Sequence, residues 1–287
     1  MYRRAVPAAV SLALLAACRS GTIPNQVLTK PAPVRAALPV ARSTTGHWAY
    51  RPSTVLQRFT VDQHAAITVG VDSTARTDTV SSHAEVAFTN VPSTHELSGT
   101  VSALLVAGGG RIAATPPGLQ VPFPFRATYP GANLQLQFAA PADVTPCSST
   151  ALAAVQSLRD LWFQAPDTLR VGSTWSDSSS YVTCRDGIAL RATVHRMFHV
   201  TASKVRDGRM LLSITRLSRT LVDGHGTQFG DSVTVSGAGN GQLTYDVDPS
   251  SGEIASANGS ATLDFSLRSS QRTQIVRQVA DILIGRR

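Results

Sequence analysis

The sequence predicts a mainly β domain: a long, curved antiparallel sheet or half-barrel with one internal helix and, on balance, a second helix at the C-terminus. Three observations predict it. Apolar and polar residues alternate over long stretches, beginning with Phe59, Val61, Ala65, Ile67, Val69 and Val71 against Thr60, Asp62, His64 and Thr68, which is the period of a half-buried strand. Between such stretches stand short turn signals such as Asp186-Gly187 and Asp207-Gly208, suited to hairpins rather than to crossover helices. Only one internal segment, residues 148–162, shows clear helical spacing. With 43% hydrophobic residues in a chain of 287, there is enough apolar material for a sizeable core. At 15% charged, the chain falls outside the class of charge-rich disordered proteins.

The elements follow in order. After the first long strand, a polar turn at Asp72–Asp78 leads to a second strand over Val80–Thr89 and a third around Glu96–Val106. Gly108-Gly109-Gly110 and a proline-rich stretch through Pro124 interrupt the sheet, and a short hairpin turns at Pro130-Gly131 with Leu134, Leu136 and Phe138 on one face. In the helix, Ser148 or Ser149 can cap the start, and Leu152, Val155, Leu158 and Leu161-Trp162 follow its period. A strand then runs from Trp175 to Cys184. The next places Ile188, Leu190, Ala192, Val194, Phe198 and Val200 on one face. Asp223-Gly224-His225-Gly226 reads as a further turn, and strands near 210–221, 232–247 and 253–268 complete the second half. In the last of these, Ala261, Leu263, Phe265 and Leu267 alternate with Thr262, Asp264, Ser266 and Arg268. Residues 270–284, ending with Ile275, Val276, Val279, Ile282 and Leu283, fit an amphipathic helix better than a strand.

The first 17 residues, MYRRAVPAAVSLALLAA, have the layout of an export signal: Arg3 and Arg4 precede a short apolar run that is too brief for a transmembrane helix. Leu15-Ala16-Ala17-Cys18 resembles the lipobox of bacterial lipoproteins. That resemblance implies acylation of Cys18, cleavage before it and a lipid anchor. Arg19 after the cysteine implies onward transfer to an outer membrane, so the expected location is the cell envelope. Residues 18–45, rich in proline and without an acidic residue, read as the lipidated cysteine and a tether, leaving residues 46–287 as a single β-rich domain.

Charge and cysteine usage follow from this placement. Removing Arg3 and Arg4 with the signal lowers the net charge from +8 to +6. The remaining basic residues, arginine apart from Lys30 and Lys204, are scattered without a basic run interleaved with aromatics, which argues against nucleic acid as a partner. With Cys18 consumed by lipid, Cys147 and Cys184 remain as a pair in an oxidising compartment, where a disulfide is expected.

No motif supports catalysis. Phe229-Gly230-Asp231-Ser232 resembles the first block of the GDSL esterase family, but no histidine follows Ser232, so the base that the family places late in the chain is missing. His195 and His199 are four apart, but on a strand such residues are about 13 Å distant and do not share a metal. Asp246-Val-Asp248-Pro-Ser250-Ser-Gly252-Glu253 is closer to a turn between two strands than to a calcium loop, which would place its glycine and distal glutamate differently. No cofactor is expected. In strand number and covering helix, the architecture resembles the half-barrel family of bacterial lipid and lipoprotein carriers. The resemblance implies an apolar or lipid-like ligand, with Phe59, Val61, Ile67, Leu190, Val194, Phe198, Leu263 and Phe265 lining either a cavity or a packed core. The alternative is an envelope scaffold that docks to a protein partner.

Overall fold

The computed structural model describes residues 46–71, 74–129, 137–228, 230–270 and 272–287. The expected export signal, Cys18 and the tether lie outside these residues, as do the Pro130-Gly131 turn with Leu134 and Leu136, and Phe229. In chain order the strands are β1 (Trp48–Ala49), β2 (Gln57–Val71), β3 (Thr74–Val91), β4 (Glu96–Gly108), β5 (Phe123–Thr128), β6 (Gln137–Phe138), β7 (Thr168–Leu169), β8 (Thr174–Arg185), β9 (Ile188–Arg206), β10 (Arg209–Gln228), β11 (Asp231–Asp248), β12 (Glu253–Arg268) and β13 (Thr273–Arg286). The helical segment is α1 (Thr150–Gln156), continued as a 3-10 turn over Ser157–Leu161.

Eleven strands form one antiparallel sheet in the order β6-β5-β4-β3-β2-β13-β12-β11-β10-β9-β8, while β1 and β7 make a separate two-stranded pair. The sheet is strongly curved and nearly a barrel. Among the described residues its two edges, β6 and β8, do not pair with each other. The chain enters in the middle of the sheet: β2 lies against β13, so the N- and C-terminal strands close the register from Gln274↔Val71 to Arg286↔Phe59.

The expected curved antiparallel sheet with an internal helix is what the structure contains, and four local expectations are corrected. Residues 270–284 are not a helix, because β13 pairs on both sides, with β12 and β2. Its inward residues Val276, Ala280 and Ile284 are four apart, a spacing that both periods satisfy. The β-branched Ile275, Val276, Val279, Ile282 and Ile284 favour the strand. The polar segment Asp72–Asp78 is mostly strand, since β3 begins at Thr74. It is polar because this end of the hairpin is exposed, and Thr68 and Thr77 share a 2.8 Å hydroxyl hydrogen bond there. Asp223-Gly224-His225-Gly226 is not a turn but part of β10. A Cβ on Gly224 would come within 2.6 Å of Leu190 Cδ2 and 2.7 Å of the Ala189 carbonyl, so glycine is there for a close approach of β9. The predicted helix is shorter than 148–162, and Ser149 is its cap, its Oγ accepting from the Leu152 N–H at 3.2 Å.

Small inward residues let the strands bend. A Cβ on Gly239 of β11 would collide with the Thr262 carbonyl, and one on Gly259 of β12 with the Gln242 carbonyl. Gly239, Gly241, Ala261, Ala280 and Ala65 thus form the waist where the sheet curls over itself, between two packed clusters. At the helix-covered end, Phe59, Phe198, Leu212, Ile214, Leu243, Tyr245 and Ile284 pack with Leu158, Leu161, Trp162 and Phe163. At the hairpin end, Ile67, Ile188, Leu190, Val235, Phe265, Leu267 and Val276 form a second, mainly aliphatic cluster.

Candidate functional site

The gap between the edges β6 and β8 is where the helical segment sits. α1 contacts both edge strands. Cys147, just before the helix, is joined to Cys184 of β8 by the expected disulfide, with Cα atoms 5.0 Å apart. Arg159, in the 3-10 turn, spans the same gap: its guanidinium lies 5.3 Å from the ring centroid of Phe138 on β6 and 4.2 Å from that of Tyr181 on β8. The segment is therefore a cover, stapled at one end and braced across both edges.

Strand side chains from inside the sheet hold the far end of this cover. Arg216 of β10 pairs with the Asp160 carboxylate. The Tyr245 hydroxyl of β11 accepts from Arg216 Nη1 at 3.2 Å and donates to the Asp160 carbonyl at 3.0 Å. Arg196 of β9 makes a two-pronged pair with Asp177 of β8, both bonds at 2.6 Å, and its Nη1 reaches the Trp162 carbonyl at 3.5 Å. A short helix leaves its last carbonyls without intrahelical partners, and here sheet side chains satisfy two of them. Burial pushes the Asp160 carboxyl up, but the adjacent Arg216 guanidinium outweighs this and holds it below its ordinary 3.8. Burial also pushes the Tyr245 hydroxyl up to about 12. Arg216 is raised despite burial, through Asp160 and Tyr245.

Beneath the cover is a partly open pocket of about 110 Å³, mostly apolar, with Val61, Ala84, Ile282 and Ile284 on the sheet side and Leu158 and Leu161 on the cover. Arg159, Asp160, Tyr181, Gln63 and Gln156 bring polar atoms to it. Among the described residues Arg159 forms no ion pair: its Nε and Nη2 donate to Gln156 Oε1, the first at 2.9 Å, and its remaining contacts are the two rings. Burial lowers its pKa to about 10, so the guanidinium is still charged at neutral pH.

The expected lining residues all lie on inward-facing strand positions, but the structure separates them. Only Val61 borders the cavity. Phe59 and Phe198 belong to the packed cluster at the covered end, and Ile67, Leu190 and Phe265 to the cluster at the hairpin end. Val194 and Leu263 are half-buried near the waist.

The residues weighed for chemistry are dispersed. His195 and His199 lie on β9 with their faces outward and exposed, and Ser232 is exposed on β11. The Asp246–Glu253 segment is the β11–β12 turn, with Gly252 at a φ of 64°. Its acids are taken locally: Asp246 by Lys204 at 2.7 Å, Asp248 by the Ser250 hydroxyl at 2.6 Å, and Glu253 by Arg286. Among the described residues no group of three His, Cys, Asp or Glu is placed to hold a metal.

The interior charges Arg159, Asp160, Asp177, Arg196 and Arg216 were not singled out by the sequence patterns. A signal existed for two of them. Arg196 interrupts the inward series Val194–Phe198, and Arg216 follows Ile214 on the inward side of β10. An arginine at an inward position of a strand needs a buried partner.

No family model matches this chain, and no curated protein does. Among solved structures, a DUF1329 family protein from Desulfovibrio piger aligns with 82% of this chain and 86% of its own at 7% identity, with a TM-score of 0.16. So low a score carries no inference about fold or function.

Proposed function

We propose that this protein is an exported lipoprotein, anchored in the cell envelope through Cys18, whose domain binds an amphipathic, lipid-like molecule without catalysis. The observation that carries this reading is the covered gap. Two sheet edges that are unpaired among the described residues are bridged by a short helical segment, and that segment overhangs an apolar pocket which also presents Arg159 and Asp160. A site of this composition suits a molecule with an apolar body and a polar end. The pocket volume of about 110 Å³ is that of roughly four waters, each with about 30 Å³. A longer alkyl chain therefore enters only when the cover swings outward from its ties to Arg216, Tyr245 and Arg196.

Native mass spectrometry of the Cys18→Ser protein purified from envelope extracts tests the reading. Co-purifying lipid that survives washing supports it, and a bare protein that takes up no alkyl amphiphile contradicts it. The anchor has its own check, since the same substitution should abolish acyl labelling and release the protein from membranes. Persistent labelling would sink the lipobox assignment.

A second reading, an envelope scaffold, draws on the outer face. Ile275, Val279 and Leu283 of β13 are 61%, 39% and 54% exposed on one outward row, and Met197, Leu217 and Leu221 are exposed on adjacent strands β9 and β10. Exposed apolar rows of this kind suit a protein partner.

A further inference from the structure

We propose that Arg159 is the receptor for the acidic group of the bound amphiphile, a carboxylate or phosphate attached to an alkyl chain. This rests on the reading of the covered cavity as an amphiphile site and specifies its chemistry. Around the 3-10 turn the guanidiniums of Arg159, Arg196 and Arg216 lie near the carboxylates of Asp160 and Asp177, while Arg185, also buried on β8, pairs with Asp186. Each carboxylate is committed: Asp177 to Arg196 at 2.6 Å, and Asp160 to Arg216. Arg159 is the guanidinium left over.

Its surroundings make that surplus a recognition element. One oxygen, Gln156 Oε1, takes both its Nε and Nη2, and no oxygen among the described residues takes Nη1. The guanidinium carbon lies over the rings of Tyr181 and Phe138, and Nη1 is the donor left for an acceptor. Ion–ring contacts compensate burial less completely than a carboxylate would, and burial accordingly depresses the Arg159 pKa to about 10. Val61, Ile282, Ile284 and Leu158 continue from the same cavity as apolar wall. A cation at the rim of an apolar pocket discriminates an acidic amphiphile from both a neutral lipid and a free anion. The neutral molecule leaves the guanidinium unpaired, and the free anion leaves the wall unfilled.

Isothermal titration of the full-length protein with decanoate, decyl phosphate, decanol and inorganic phosphate tests the assignment. Wild type should bind decanoate and decyl phosphate about tenfold more tightly than decanol, the usual worth of a charge-assisted hydrogen bond. Arg159→Gln should remove that advantage and leave decanol affinity unchanged, a selectivity that a purely structural arginine would not produce. The decanoate-to-decanol ratio in wild type needs no variant, so it decides the matter even if Arg159→Gln unfolds. Equal binding of decanoate and decanol by wild type, or undiminished decanoate binding by Arg159→Gln, overturns the role of Arg159 while the amphiphile reading stands. Inorganic phosphate competing as well as decyl phosphate makes the site one for free anions and overturns the inference. If wild type binds none of the alkyl probes, the amphiphile reading itself fails.

Discussion

The two ends of the sheet are built from the same long strands with the same inward faces, yet they are packed by different means. The hairpin end closes with aliphatic side chains on adjacent strands, and its buried arginine, Arg185, lies 4.6 Å from the Phe265 ring centroid and pairs with the neighbouring Asp186 at 3.6 Å. The covered end has a gap between β6 and β8, and it is filled by a separate segment carrying Leu158, Leu161, Trp162 and Phe163. That segment is held by a disulfide, the Arg216–Asp160 ion pair, the Arg196 hydrogen bond to the Trp162 carbonyl and ring contacts such as Phe163 with Phe198 at 5.3 Å. Hydrophobic burial is non-directional and does most of the closing at the hairpin end, with Arg185 the buried charge there. Charged pairs contribute little net stability when buried but fix one arrangement, and they come apart as units. On the proposed function, the covered end is the part that opens.

Breaking the interior pairs should have the largest effect. Asp177→Ala strands a buried arginine at position 196, which is 7% exposed, and should cost about 3–5 kcal/mol in denaturant unfolding. The double variant Asp177→Ala/Arg196→Met should recover much of this. If the single variant is as stable as wild type, the pair does not tie the cover.

Removing the staple comes next. Cys147→Ser together with Cys184→Ser should lower stability by about 2–4 kcal/mol, with faster proteolysis in 145–162 than in β9–β12. Uniform loosening of the whole sheet would contradict a local cover.

Acid should act on the same end. Because the folded Asp160 carboxyl titrates below 3.8, its contribution is fully present above about pH 4 and is lost as pH falls through the folded value. Limited proteolysis should therefore cut the cover increasingly below that pH in wild type. In Asp160→Asn the cover should be loose already at neutral pH, and the additional acid loosening should be absent. An equal acid response in both proteins would remove Asp160 from the latch.

The smallest effect is expected at the hairpin end. Ile188→Val should cost about 1 kcal/mol and leave alkyl-probe binding unchanged. A change in binding would mean that the two ends are not separate.

How much of this was legible in the sequence depended on whether one period could be read alone. β12 was expected over 253–268 and is found there, because alternation is clean and a Pro-Ser-Ser-Gly turn marks its start. β13 was not legible, since Val276, Ala280 and Ile284 satisfy both periods and only pairing with β2, some 200 residues earlier in the chain, decides between them. Gly224 and Gly226 looked like a turn because glycine serves turns and close approaches alike, and only the position of Leu190 distinguishes the two. The disulfide was legible from the cysteine count together with the expected export signal. The candidate site was not: Arg159 lies on a short helical segment whose neighbours Phe138 and Tyr181 come from opposite edges of the sheet, a meeting that no local pattern encodes.

Hydrogen–deuterium exchange of the full-length protein with and without decanoate tests the central claim most directly. A cover that closes over the bound amphiphile predicts slower exchange confined to residues 145–162 and the facing parts of β6 and β8, with the hairpin end unchanged. Saturated binding with no protection there, or protection around Ile188, Val235 and Phe265 at the hairpin end instead, would contradict it.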